Sequence, residues 1–163
     1  MNMIKPLKQN AINAILSEYE KAIAELIRVI EPITNDTLTA IVDANTTNPE
    51  CKSIQAILTH VVSSGYSYCI YIQQLKNKEA KRPPKFDRLS ASEYIEDLKS
   101  VVKFTYDTFS NIEDHEIEVF DSNRKIKTAW GQVYDIEQMM EHAIVHILRH
   151  RRQIEKFKGD FGQ

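Results

Sequence analysis

The sequence predicts an all-α protein, a four-helix bundle with a long crossover connection and a small β-hairpin ahead of the last helix. Three observations lead there. Only 4 glycines and 5 prolines occur in 163 residues, and the prolines fall mostly between periodic stretches, which leaves long segments free to be helical. Apolar residues recur at helical spacing in four such segments, each roughly 20 to 25 residues long. At 42% hydrophobic the chain can enclose one substantial core but is short for two ordinary domains, so a single domain over residues 1–163 is expected.

The first segment runs from Leu7 to Ile30, with Ile12, Ile15, Leu16, Tyr19, Ile23, Leu26, Ile27 and Ile30 on one face, and Pro32 stops it. Residues 33–48 are rich in Thr, Asn and Asp, which compete with helical hydrogen bonding, so they read as a connection with a short turn around Leu38 to Val42. Ser53 then caps a second helix whose apolar side carries Ile54, Ile57, Leu58, Val61, Val62, Tyr68, Ile72 and Leu75. Gly65 inside it costs about 1 kcal/mol against alanine, which points to close approach of another element or to room for a ligand, with helix packing the commoner reason.

Lys76 to Leu89 is charged and centred on Pro83-Pro84, an exposed loop crossing the bundle end. Ser90 and Glu93 form a capping box for a third helix, with Tyr94, Leu98, Val101, Val102, Thr105 and Phe109 in register and an end expected near Ile112. From His115 to Gly131 the helical period is lost, and residues 117–120 and 125–128 flank the turn-forming Asp121-Ser122-Asn123 as a candidate β-hairpin. This joining segment, about twenty residues, is long enough to cross the bundle, so an up-down-up-down order is not required. Asp135 and Gln138 form a second capping box, with Tyr134 placed to staple onto Met139, and the last helix runs to about Lys158.

A net charge of −2, from 21 basic and 23 acidic residues, supplies no general attraction to nucleic acid or anionic lipid. The short run Arg149-His150-Arg151-Arg152 reads as bundle surface, with Arg151 and Arg152 pairing with acids, more than as a nucleic-acid footprint. Met1 to Pro6 lacks the apolar core of a signal peptide and no stretch is long enough to cross a bilayer, so a cytoplasmic location is expected. Cys51 and Cys69 would stand about 27 Å apart on one helix and should be free thiols.

Chemistry concentrates in the last helix, where His142, His146 and His150 recur every four residues. Each step of four advances about 40° around the axis, so the imidazoles form one stripe and two of them can grip one ion from a rigid support. A third ligand must come from elsewhere, and His60 on the second helix is the best candidate. His115 lies in a polar stretch that would hold coordination geometry poorly and ranks last.

The run from His146 to Ile154 resembles the His-x3-His-Arg-x-Gln-Ile ending of the DinB-like, or YfiT-like, superfamily, and Ser53 to His60 resembles its Ser-Ile-x-x-Ile-Leu-x-His segment. The resemblance spans nearly the whole chain and implies a helix bundle in which His60, His146 and His150 ligate a divalent metal ion, most often zinc or nickel. It also implies a homodimer and, in some relatives, transferase or isomerase chemistry using a low-molecular-weight thiol. The chain departs from the pattern at His142, which leaves a His142/His146 pair open, and at Arg152, where a small residue is usual.

Three neutral imidazoles leave a coordination position open, as in catalytic sites. The expected activity is therefore a metal-dependent transferase or hydrolase acting on a small molecule. The alternative is a non-catalytic ligand-binding or interaction bundle with a vestigial or structural metal site. Acid–base candidates are Glu141, about 100° around the helix from His142, and Tyr68, two turns beyond His60, although a tyrosine on an apolar face is more often core. Cys69 has no thiolate-stabilising surroundings in sequence and is set aside.

Overall fold

A computed structural model of the chain describes residues 10–163; the expected helix start at Leu7 and the Met1–Pro6 segment lie outside them. The helices are α1 (Ala11–Ile30), α2 (Asn35–Thr39), α3 (Ile54–Leu75), α4 (Ala91–Phe109) and α5 (Ile136–Asp160), with a small sheet of β1 (Ile126–Lys127) and β2 (Val133–Tyr134). Each long helix starts on a side-chain cap, Asn10, Ser53, Ser90 or Asp135, that accepts a hydrogen bond from the backbone N–H three residues on. This satisfies a donor that the first turn otherwise leaves orphaned. The boxes at Ser90 and Asp135 are reciprocal, with Glu93 and Gln138 accepting from the cap residues' N–H groups.

Boundaries differ from the expected ones where small polar residues intervene. Thr34 Oγ1 accepts from the Thr37 N–H at 3.2 Å, which starts α2 earlier than the turn expected around Leu38 to Val42. Helix α4 stops at Phe109 because Ser110 turns its hydroxyl onto the Asp107 carbonyl, 2.8 Å away, and Ile112 is buried beyond the helix. Helix α5 continues to Asp160, two residues past Lys158.

Contacts along the helices fix their directions. Thr59–Tyr94, Cys69–Thr105 and Gln73–Thr108 step together along α3 and α4, which are parallel. His60–His146 and Tyr68–His142 step oppositely, so α3 and α5 are antiparallel. Glu25–Arg151 and Val29–Lys158 set α1 parallel to α5. Because α3 and α4 are parallel neighbours, the chain between them must travel back along the bundle. Helix α3, at 22 residues, is about 33 Å long, a distance that the extended stretch 76–90 can cover at about 3.3 Å per residue.

Pro83-Pro84 favours that extended form. Three hydrogen bonds pin it antiparallel to α3: Arg82 Nη1 to Ser67 Oγ (3.1 Å), Thr59 Oγ1 to Asp87 Oδ1 (2.8 Å) and Gln55 Nε2 to the Arg88 carbonyl (2.8 Å). The long crossover is this strap, not a loop over the bundle end, and residues 110–135 join two helix termini at one end.

The hairpin pairs Ile126 with Tyr134 and Lys127 with Val133, so only one of its strands falls where the sequence suggested. Residues 117–120 are not a strand: Ile117 is buried, its carbonyl accepts the Glu137 N–H at 3.0 Å, and the Val119 N–H donates to Asp135 at 3.3 Å. Their backbone groups are spent on the start of α5. The tip, Thr128–Gln132, turns through Gly131 at φ +89°, and the Ala129 N–H donates to Tyr71 Oη at 2.9 Å, which anchors the tip to α3.

Gly65 lies where α4 crosses α3, and a Cβ there would sit 2.5 Å from Val101 Cγ1. Helix packing, not ligand space, accounts for it. Cys51 and Cys69 are free thiols, and no helix of the described residues is long and apolar enough to cross a membrane.

Candidate metal centre

The antiparallel packing of α3 against α5 brings His60 opposite His146 and His150. The Nε2 atom of His60 lies 2.9 Å from that of His146, and that of His150 lies 3.1 Å from it. All three potential ligand atoms fall within 4.8 Å of one another. His146 and His150 are 7% and 3% exposed, while His60 at the edge is half-buried.

The outer nitrogens decide what the inner ones can do. His60 Nδ1 is 2.9 Å from Glu50 Oε2, and His150 Nδ1 is 3.1 Å from Gln153 Oε1. A carboxylate and an amide oxygen only accept, so in the tautomers that satisfy these two contacts both Nδ1 atoms carry protons and both neutral rings turn an Nε2 lone pair toward His146. One N–H on His146 cannot satisfy two lone pairs. A cation at the common point satisfies all three. For zinc–nitrogen bonds of about 2.0–2.1 Å in tetrahedral geometry, neighbouring ligand nitrogens stand about 3.3 Å apart, so shifts of a few tenths of an ångström bring the close contacts into range. The residues fit a divalent ion.

Electrostatics agree. Burial pushes His146 down to about 2 and His150 down to about 4, and it also lowers His60 against the opposing pull of Glu50. These imidazoles are neutral at ordinary pH, the form that ligates. The Glu50 carboxyl is held below its usual range, chiefly by the Lys85 hydrogen bond at 2.7 Å and also by His60. Glu50 thus joins the strap to the cluster.

His142 lies one turn back on α5, its ring centroid 6.3 Å from that of His146, and outside the three-histidine group. It is stacked on Trp130 from the hairpin tip at 5.2 Å, with Tyr134 Oη 3.4 Å from its Nδ1. Tyr68 is buried, its ring 5.8 Å from His146 and 5.5 Å from His142, and burial drives its hydroxyl up to about 12. It lines the centre in its protonated form.

Glu141 is exposed and is not a member of the three-histidine group. His115 is exposed beside Glu113, and the buried Cys69 lies 3.3 Å from Thr105 with its thiol pushed up to about 11, an unreactive setting. Arg151 pairs with Glu25, as a surface role predicts, and Arg152 is exposed.

Two contributors were given no role by the sequence reading, although Gln153 falls within the run quoted for the resemblance. Glu50 sits in a 3₁₀ turn, Pro49–Cys51, that Asn48 caps, ten positions before His60, and no periodicity marks it. Gln153 is one turn after His150, so helical spacing alone could have found it. Among the described residues no Cys, Asp or Glu joins the three histidines as a further ligand. No family model, curated protein or solved structure matches this chain.

Proposed function

We propose that this protein is a metal-dependent enzyme acting on a small molecule, a transferase using a low-molecular-weight thiol or a hydrolase, with His60, His146 and His150 holding zinc or nickel. The observation that carries the reading is the convergence of three Nε2 atoms, with the outer partners of His60 and His150 turning two lone pairs inward toward His146. A divalent ion there would supply Lewis-acid chemistry, polarising an oxygen or favouring the thiolate form of a thiol. Glu50 and Gln153 fix the orientation of His60 and His150, as outer partners of ligating histidines do. Tyr68, neutral well above ordinary pH, can donate a hydrogen bond into the site.

The likeness of residues 53–60 and 146–154 to the DinB-like pattern supports the same reading, and a homodimer belongs to it as an expectation of that family. Metal analysis of protein purified without a histidine tag tests it: one divalent ion per chain is expected. Absence of any ion, together with no binding at micromolar metal, would remove its basis.

A further inference from the structure

Arg149 stands on the flank of the histidine stripe that Trp130 and Tyr134 line. Relative to His146, both His142 and Arg149 lie about 40° to 60° to one side of the α5 axis, and His150 lies about 40° to the other. Arg149 is exposed, and its helical neighbours at three and four residues are Val145, His146, Arg152 and Gln153, none of them acidic. Among the described residues it makes no ion pair, in contrast to Arg151 with Glu25 and Arg88 with Asp97. The nine residues outside them include no Asp or Glu.

Its charge adds a smaller contribution at the site: burial is the main cause of the lowering of His60, His142, His146 and His150 and Arg149 reinforces it, while at the Tyr68 hydroxyl Arg149 works against burial. The positive charge there is not compensated. Neutral imidazoles contribute none, a divalent ion adds two charges and Arg149 a third, while the Glu50 carboxylate is already matched by Lys85. On the same flank of α5, about two turns back toward its start, is an aromatic wall. Trp130, 44% exposed, stacks on His142, and Tyr68 and Tyr71 meet it edge-on with centroids at 6.3 and 5.9 Å.

Resting on the metal-centre reading, we infer that Arg149 is the anion-recognising residue of the site, and that its substrate is a small organic carboxylate whose apolar body lies along Trp130 and His142. The planar guanidinium fork matches a carboxylate with two parallel hydrogen bonds, which a point charge does not reproduce. A carboxylate also supplies the negative charge that the site lacks.

Trp130 is the chain's single tryptophan, so its fluorescence reports on this wall. The test titrates benzoate and its neutral isostere benzamide into wild type, Arg149→Gln and Arg149→Lys, each with and without zinc, followed by Trp130 fluorescence and by calorimetry. Benzoate is expected to bind zinc-loaded wild type at least ten-fold tighter than benzamide. Arg149→Gln should abolish that preference with zinc content unchanged, and Arg149→Lys should keep part of it. Equal binding of the two probes, no benzoate binding, or a preference that survives Arg149→Gln would each overturn the assignment. Zinc content, measured on the same samples, reports separately on the metal centre, and the zinc-free titrations decide the role of Arg149 even if no metal binds.

Discussion

Glu50 accepts the Nδ1–H of His60 at 2.9 Å through one carboxylate oxygen while its other oxygen takes Lys85 Nζ at 2.7 Å. The first contact fixes the tautomer that leaves the His60 Nε2 lone pair pointing inward. Outer partners of this kind change metal affinity about 10- to 100-fold when removed. Glu50→Ala should weaken zinc binding by that amount, and Glu50→Gln, which keeps an acceptor but loses the charge, by less. Competition against a chromophoric chelator measures it, and an unchanged affinity in Glu50→Ala would show that His60 needs no support.

The four histidines at the centre should divide cleanly. His60→Ala, His146→Ala and His150→Ala each remove a ligand and should abolish stoichiometric zinc after dialysis, while the helical circular dichroism signal stays close to wild type. His142→Ala should retain the ion, because its ring is stacked on Trp130 outside the group. Elemental analysis of the four variants checks this, and loss of zinc in His142→Ala alone would move the ligand set one turn along α5.

The four long helices were legible because periodicity and caps agree: Ser53, Ser90 and Asp135 each mark a start that tertiary packing leaves in place. The three ligand candidates were legible for the same reason, since a stripe on one helix needs only one facing histidine. What escaped depends on contacts distant in sequence. Residues 117–120 alternate like a strand, yet their backbone groups go to the start of α5, and a two-residue pairing of 126–127 with 133–134 carries too little pattern to detect. The strap 76–90 reads as any charged, proline-centred loop; its course along α3 follows only once α4 is seen to run parallel to α3.

Acid should destabilise the metal-free protein before its carboxylates titrate. His150, at about 4, and His146, at about 2, lie below the unfolded histidine value of about 6.5, so the unfolded chain binds protons first as pH falls. Stability is then full above about 6.5 and declines below it, until the His150 contribution is lost near its folded value. The expected loss between pH 7 and 5 is on the order of a few kcal/mol, read as a drop in Tm, and His150→Gln should flatten part of the slope. Zinc should raise Tm at pH 7 and lose that effect toward pH 5, because protons compete for the ligating nitrogens. A Tm independent of pH from 7 to 5 in metal-free protein would show that these rings titrate alike folded and unfolded.

Gly65→Ala opposes two effects of known sign. Alanine gains about 1 kcal/mol of helix propensity over glycine. Its Cβ, however, would meet Val101 Cγ1 at 2.5 Å and Tyr19 Oη at 3.3 Å, and a valine within a helix has one strongly preferred rotamer, so its methyl cannot swing aside without strain. Overpacking of this kind costs about 1–3 kcal/mol, which outweighs the propensity gain unless α3 and α4 separate. Separation would also disturb Thr105, whose hydroxyl lies 3.3 Å from Cys69 Sγ across the same interface. Urea unfolding should therefore show Gly65→Ala less stable than wild type by about 1–2 kcal/mol, with zinc content intact because the histidines lie on the α5 side of α3. Stabilisation by the alanine would mean that the two helices do not approach as closely as Gly65 and Val101 do here.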